Sequence, residues 1–354
     1  MGRAEIARAC GLSTQAVSNI VEELERDGML APAGAVRAGR GLPSMRYRLA
    51  PSGGRAIGLE LRPDAVLCAA VDLAGAPVAT GREAMRDPRP GPAADLVARM
   101  VERVAEASVG AGPLLGIGAA LPGPFGPTGL VPEGGELPGW ADIDAADHLA
   151  RALGQPVTVT KDTVAAATAE FVGGAARGLR SFAHLYFGAG IGLAVVVDGA
   201  PMIGAHGNAG EIGRLPLANG TTLEDAASRL SLAERLARAG VPSASLAALE
   251  GAIDHPATAA WLSEAAPAVA LAVRWIENLC DPQTLVLGGA MPAPLMERLI
   301  AAIDLPRLSV AERPDRALPR LALGRCGPTV AAEGAAAIVL DAADAPPRAL
   351  EAAE

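Results

Sequence analysis

The sequence predicts an α/β protein of two lobes behind a small N-terminal helical head. Three observations predict it. Short apolar runs alternate with helix-period stretches, and Gly, Pro or charge punctuates the joins. At 354 residues, 51% of them hydrophobic, the chain can bury the cores of two or three domains. Charge is uneven: residues 1–50 hold seven Arg and five acids, net +2, so the overall −9 leaves −11 for the remainder. An acidic body with a mildly basic head fits a head that touches nucleic acid.

Composition also excludes classes. The four cysteines, Cys10, Cys68, Cys280 and Cys326, are far apart and form no C-x-x-C pair, so neither a disulfide scaffold nor a structural zinc is indicated. The opening Met1-Gly2-Arg3 leads into no long apolar run, and no apolar run is long enough for a membrane span. A cytoplasmic protein is the expectation.

In the head, residues 1–50, Arg3 to Cys10 has the pattern of a short helix stopped by Gly11. Ser13 caps a second helix running from Thr14 to about Asp27, with Ala16, Val17, Ile20, Val21 and Leu24 inward. Two helices around a Gly-Leu-Ser turn read as a helix-turn-helix, which sets Ser13, Thr14, Gln15, Ser18 and Asn19 near a major groove. Met45 to Leu49 alternates apolar and basic as a strand does, giving a winged hairpin whose Arg37, Arg40 and Arg46 can reach phosphate.

Pro51 to Gly54 is a linker. The first lobe, residues 55–156, opens with strands over 56–61 and 65–73, turned by Arg62-Pro63-Asp64, and a third strand over 78–82. An amphipathic helix over 95–107 and a strand from Leu114 into Pro122-Gly123 follow. The second lobe, residues 157–327, begins with a strand ending at Lys161-Asp162, the only Lys of the chain beside a carboxylate. Ligand sites in α/β proteins sit at such strand ends, and the Lys should lower the carboxyl pKa.

Next, an apolar strand enters Gly188-Ala189-Gly190-Ile191-Gly192, and a second ends at Asp198-Gly199. The segment His206-Gly207-Asn208-Ala209-Gly210-Glu211 sets a histidine and a glutamate among glycines, as the floor of a pocket for a hydroxyl-rich molecule would. Residues 223–250 and 257–279 read as helices; Trp275 reads as core and Trp261 as packing or an oligomer contact. Thr284 to Gly289 is a buried strand into a Gly pair, 321–324 a short strand, and 330–340 an Ala-rich helix.

These segments together resemble the ROK family (repressor, open reading frame, kinase) of bacterial sugar kinases and sugar-responsive repressors, over nearly the whole chain. The resemblance implies a two-lobed, actin-like sugar-kinase fold of the ribonuclease H-like type, with a returning helix at 328–345 joining the first lobe. The block from Arg3 to Ser18 is similar to the winged helix-turn-helix of the family's repressors, and Gly39-Arg40-Gly41-Leu42-Pro43 to its wing. Those repressors carry one more helix before the segment matching Arg3-Ala4-Glu5, so this head is expected to lack its first helix.

The resemblance also assigns roles. Gly123, Glu136, Lys161, Asp162, His206, Glu211 and Glu224 fall at or beside sugar-binding positions, with Glu136 and Lys161 each replacing a family Asn. Asp162 stands where the kinases keep the base that takes the sugar hydroxyl proton. Gly188, Gly190, Gly192, Gly288 and Gly289 match nucleotide-binding turns. The hairpin that cradles ATP phosphates in the kinases, Asp-x-Gly-Gly-Thr, is here Glu60-Leu61-Arg62-Pro63-Asp64. Pro63 has no N–H to give and Asp64 repels phosphate. The zinc ligands are replaced by Arg214 and a Cys-free stretch from Leu215 to Thr222.

The expectation is therefore a dimeric transcriptional regulator, a repressor, that binds operator DNA and a sugar or sugar phosphate, with no catalytic residue, no cofactor and no zinc. Two alternatives stand beside it: a Mg-ATP-dependent hexose or N-acetylhexosamine kinase using Asp162, and a non-catalytic sugar sensor acting through protein contacts.

Overall fold

A computed structural model describes residues 1–36, 44–130, 135–305 and 307–343. The head is α1 (Arg3–Cys10), α2 (Thr14–Arg26) and the antiparallel pair β1 (Leu30–Val36) and β2 (Ser44–Leu49). Ala7, Val17, Val21 and Tyr47 form its small core. Gly11 ends α1 in the left-handed conformation, and the Ser13 hydroxyl accepts from the Ala16 N–H to start α2. The inward stripe is narrower than the helical period suggested: Val17 and Val21 are buried, but Ile20 is 43% exposed. Arg37, Arg40 and the Gly39–Pro43 turn lie outside the described residues.

The body contains two five-stranded sheets of the same topology. The first is made by β3 (Arg55–Arg62), β4 (Ala65–Asp72), β5 (Pro77–Ala84), β6 (Leu114–Leu121) and β7 (Val157–Lys161), with α3 (Pro90–Ala107) and α4 (Ala145–Leu153) between strands. Its order is β5-β4-β3-β6-β7: an antiparallel meander, then two parallel strands beside the first. After α5 (Asp162–Gly173) the plan repeats with β8 (Phe182–Phe187), β9 (Ile191–Val197) and β10 (Ala200–Pro201). Three short helices follow, α6 (Leu223–Ala227), α7 (Arg229–Arg238) and α8 (Leu246–Gly251), then α9 (Pro256–Cys280), β11 (Leu285–Gly289), α10 (Ala293–Ala302), β12 (Leu321–Cys326) and α11 (Val330–Ala343). The second order is β10-β9-β8-β11-β12.

One sequence expectation changes here, and for Trp261 the packing alternative holds. Residues 223–250 are not one helix: Ser228 and Ser245 each cap a new one, their hydroxyls accepting from the N–H three residues on. Trp261 is fully buried and donates from Nε1 to Ser231, so it is core, not an oligomer contact.

Helices α5 and α11 cross against each other between the sheets, and α11 lies on β3 and β6. Only small residues permit that approach. A Cβ at Gly58 would collide with the Ala332 carbonyl, one at Gly118 with that of Ala335, and one at Gly334 with that of Ala165. Ala120, Ala165, Ala166, Ala169, Ala331 and Ala335 fill the rest of the seam, with Tyr186 beside them. The joint fixes where the strand ends meet, and the cleft is built there.

Candidate functional site

The ends of β3, β6 and β7 and the β8–β9 turn converge on one cleft. From the first sheet's side it is lined by Glu60, Arg62, Pro63, Gly123, Glu136, Lys161, Asp162 and Thr163. From the second come Tyr186, Gly188, Gly190, Gly192, Glu211, Arg214 and Glu224. Segments some 160 residues apart thus bring together six of the seven sugar-site candidates. His206 is not among them: its loop turns at Gly204 and Gly207, both with positive φ, and leaves the imidazole exposed. Gly288 and Gly289 do not line the cleft either. Gly288 packs on the backbone of β12 and Gly289 on the ring of Tyr186, so their small size serves strand packing.

Three ion-pair groups fill the cleft. The Lys161 ammonium, 5% exposed, lies 2.6 Å from Glu211 Oε1 and donates to the Ala209 carbonyl at 3.0 Å. Gly123 makes room for this pair, because a Cβ there would stand 2.5 Å from the Glu211 carboxylate. Arg214 reaches Glu224 at 2.9 Å and Glu136 at 3.4 Å, pairing with carboxylates at the position that the resemblance matches to the family's zinc-binding His. Arg62 folds back from the β3–β4 turn. Its Nε and Nη2 donate to the two oxygens of buried Glu60 at 2.7 and 2.8 Å, and Nη2 also reaches the Pro328 carbonyl at 3.1 Å. The Tyr186 hydroxyl donates to the same Glu60 at 3.0 Å. Burial opposes the Arg62 charge, but Glu60 and Tyr186 outweigh it and raise the guanidinium pKa.

The space left among these groups is ≈ 50 Å³, room for a few waters. A ligand of sugar size would compete with these pairs for the same polar groups. A further clamp joins the walls: Asn208 accepts from the Phe125 N–H at 2.6 Å and donates to its carbonyl at 2.9 Å.

Electrostatics here differ from the expectation for Asp162. Burial, reinforced by the nearby charge of Glu60, pushes its carboxyl up to about 7, although Lys161 and the Thr163 N–H pull the other way. Lys161 does pull it down, but burial is the larger effect and wins. Burial likewise raises Glu136 and Glu224, with Arg214 offsetting part of it. A carboxyl that keeps its proton, as Asp162 can near pH 7, donates to a hydroxyl as well as accepting from one, the pattern polyol recognition needs.

Sequence reading missed the Glu60–Arg62–Tyr186 brace, the Asn208 clamp, and Arg229, which donates to the Gly188 carbonyl at 3.1 Å. One signal was present: Glu60 and Tyr186 are polar groups inside otherwise apolar strands, and a buried charge requires a partner. In the head, Gln15 Nε2 donates to Asn19 Oδ1 at 3.2 Å on an exposed face, with Ser13 and Thr14 exposed beside them and Ser18 half-buried. Arg46 pairs with Glu5 at 3.0 Å. Among the described residues no cluster of His, Cys, Asp and Glu could hold a metal ion, and no helix is long and apolar enough to cross a membrane.

Twin five-stranded sheets closing on a polar cleft define an α/β protein with a fold related to sugar kinases. The chain belongs to the ROK family, whose model matches residues 56–342. An uncharacterized protein of Sinorhizobium fredii is 27% identical over 352 residues, which span 96% of this chain and 86% of that one. Among solved structures, a ROK family transcriptional regulator described as a homologue of the E. coli MLC protein matches 97% of this chain and 92% of its own, with TM-score 0.66 and 20% identity. A ROK hexokinase from Thermus thermophilus matches 82% of this chain and all of its own, with TM-score 0.59 and 25% identity.

Proposed function

We propose that this protein is a DNA-binding transcriptional regulator whose kinase-like body binds a sugar effector without phosphorylating it. The observation that carries this reading is the state of the β3–β4 turn. A phosphate cradle needs free N–H groups and a close backbone approach; here Pro63 offers no N–H, and Arg62 is bound to Glu60 and Pro328. Two helices and a hairpin in the head support it as a winged helix-turn-helix, with Gln15 and Asn19 presented for base edges. The regulator structure's match extends over almost the whole chain, and the hexokinase's does not. In this reading the effector sits among Asp162, Glu211, Glu224 and Glu136, and two heads of a homodimer read a two-fold operator.

Coupling has a physical route. Met29, just beyond α2, packs among Val71, Leu73, Val339 and Leu340, at one end of α11. The other end of α11 starts two residues after Pro328, whose carbonyl holds Arg62 in the cleft. An effector that displaces the brace bears on the helix against which the head rests.

The second reading is an ATP-dependent sugar kinase. It is favoured by Asp162, whose pKa of about 7 suits a base at neutral pH, and by the glycine turn at Gly188–Gly192.

The deciding experiment is a DNA titration against the protein's own promoter region and against random DNA, with and without candidate sugars. Gln15→Ala and Asn19→Ala each cost about 1–3 kcal/mol on the preferred site and little on random DNA. Glu211→Ala leaves sugar-free DNA binding intact and removes the sugar response. Equal affinity for promoter and random DNA would end the regulator reading. A normal sugar response in Glu211→Ala would move the effector elsewhere.

A further inference from the structure

A second cavity, of ≈ 270 Å³, adjoins the polar cleft. Pro122 and Glu136 belong to both walls. The rest of its lining is mainly apolar, with Phe125, Leu137, Trp140, Ile143 and Val159 prominent, and among the described residues Glu136 at the junction is the one charged side chain. Two of the wall residues are anchored from outside the cavity. Trp140 donates from Nε1 to the Pro88 carbonyl at 2.7 Å and stands edge-on to His148, centroids 5.7 Å apart. The backbone of Phe125 is held on both sides by Asn208.

Size and chemistry point to one kind of occupant. A dry apolar cavity of about 150 Å³ holds a benzene molecule. This one is larger, is apolar on most sides, and opens beside the carboxylates read above as the effector's hydroxyl partners. The polar cleft, at ≈ 50 Å³, offers far less space. We propose that this cavity is a subsite of the effector cleft and takes an apolar, ring-sized aglycone, so that the effector is a hydrophobic glycoside rather than a free monosaccharide. The proposal rests on the reading of the cleft as a sugar site.

Calorimetry on the full chain tests it with matched methyl and phenyl glycosides of glucose, mannose, xylose and N-acetylglucosamine, both anomers of each. In at least one pair the phenyl glycoside binds roughly 30-fold tighter, the scale of burying one aromatic ring. Ile143→Trp fills the cavity from a half-buried position. It abolishes the phenyl preference and leaves methyl-glycoside affinity unchanged. Val159→Phe, from another lining position on β7, does the same if the first variant folds poorly. Phenyl and methyl glycosides binding within threefold of each other, or a phenyl preference that survives both fillings, overturns the subsite while the sugar cleft stands. If no glycoside of either kind binds, the sugar cleft itself fails, and the subsite with it.

Discussion

Asp162→Asn isolates the electrostatic character of the cleft. An ordinary Asp carboxyl titrates near 3.8, and this one near 7. The folded chain therefore keeps a proton that the unfolded chain releases. The sign follows from linkage: the contribution to stability is fully present below about pH 4, declines as pH rises towards 7, and is gone above it. The interval is about three pH units at about 1.4 kcal/mol each, so ~4 kcal/mol is a ceiling. One edge of Asp162 stays open to the cleft, and screening there reduces the expected effect to about 1–2 kcal/mol. Asn is isosteric, keeps an oxygen to accept from the Thr163 N–H, and carries no charge. Glu136 and Glu224, also raised, are common to both chains, so their titration largely cancels in the difference. Urea unfolding of wild type and variant at pH 4.5, 6, 7 and 8 should show the variant gaining on wild type up to about pH 7 and then levelling off, by about 1–2 kcal/mol in all. A constant gap, or a variant that loses ground as pH rises, would mean that Asp162 is ionised throughout and that the burial argument is wrong.

Three other outcomes are expected. Mg-ATP with a panel of hexoses and N-acetylated amino sugars releases no sugar-dependent ADP; saturable release that vanishes in Asp162→Asn would promote the kinase reading. Protein purified without chelator carries far less than one zinc per chain by metal analysis, since Arg214 occupies the position matched to the family's His; one tightly held zinc would refute this. Gly334→Ala gains about 1 kcal/mol of helix propensity but drives a Cβ into the Ala165 carbonyl, so a net loss of about 1–3 kcal/mol is expected by denaturant melts, and a stabilised variant would show that the α5–α11 seam is looser than described.

Much of the fold was legible because its signals are local. Strand boundaries around Arg55–Asp72 and Phe182–Val197 follow from apolar runs closed by Pro-Asp and Asp-Gly turns, and the structure has them within a few residues. The break at Ser228 was less legible, because a Ser inside a helical pattern reads equally as an exposed helix position until its hydroxyl is seen capping. At the site, residue positions were legible and residue partners were not. Lys161 beside Asp162 in sequence suggested that the two interact. Its charge does act on Asp162, but the ion pair that it forms is with Glu211, 50 positions away. The same holds for Arg62: its neighbour Pro63 announces that the turn cannot cradle phosphate, but nothing local announces that its guanidinium turns inward to Glu60 and Tyr186. Long flexible cations choose partners by three-dimensional proximity to buried acids. A sequence shows which acids lie in apolar strands and so will need a cation. It does not show which cation arrives. That asymmetry places the most informative substitutions at the acids, Glu60 in β3, Asp162 at the start of α5 and Glu211 in its glycine-rich loop, rather than at the cations that answer them.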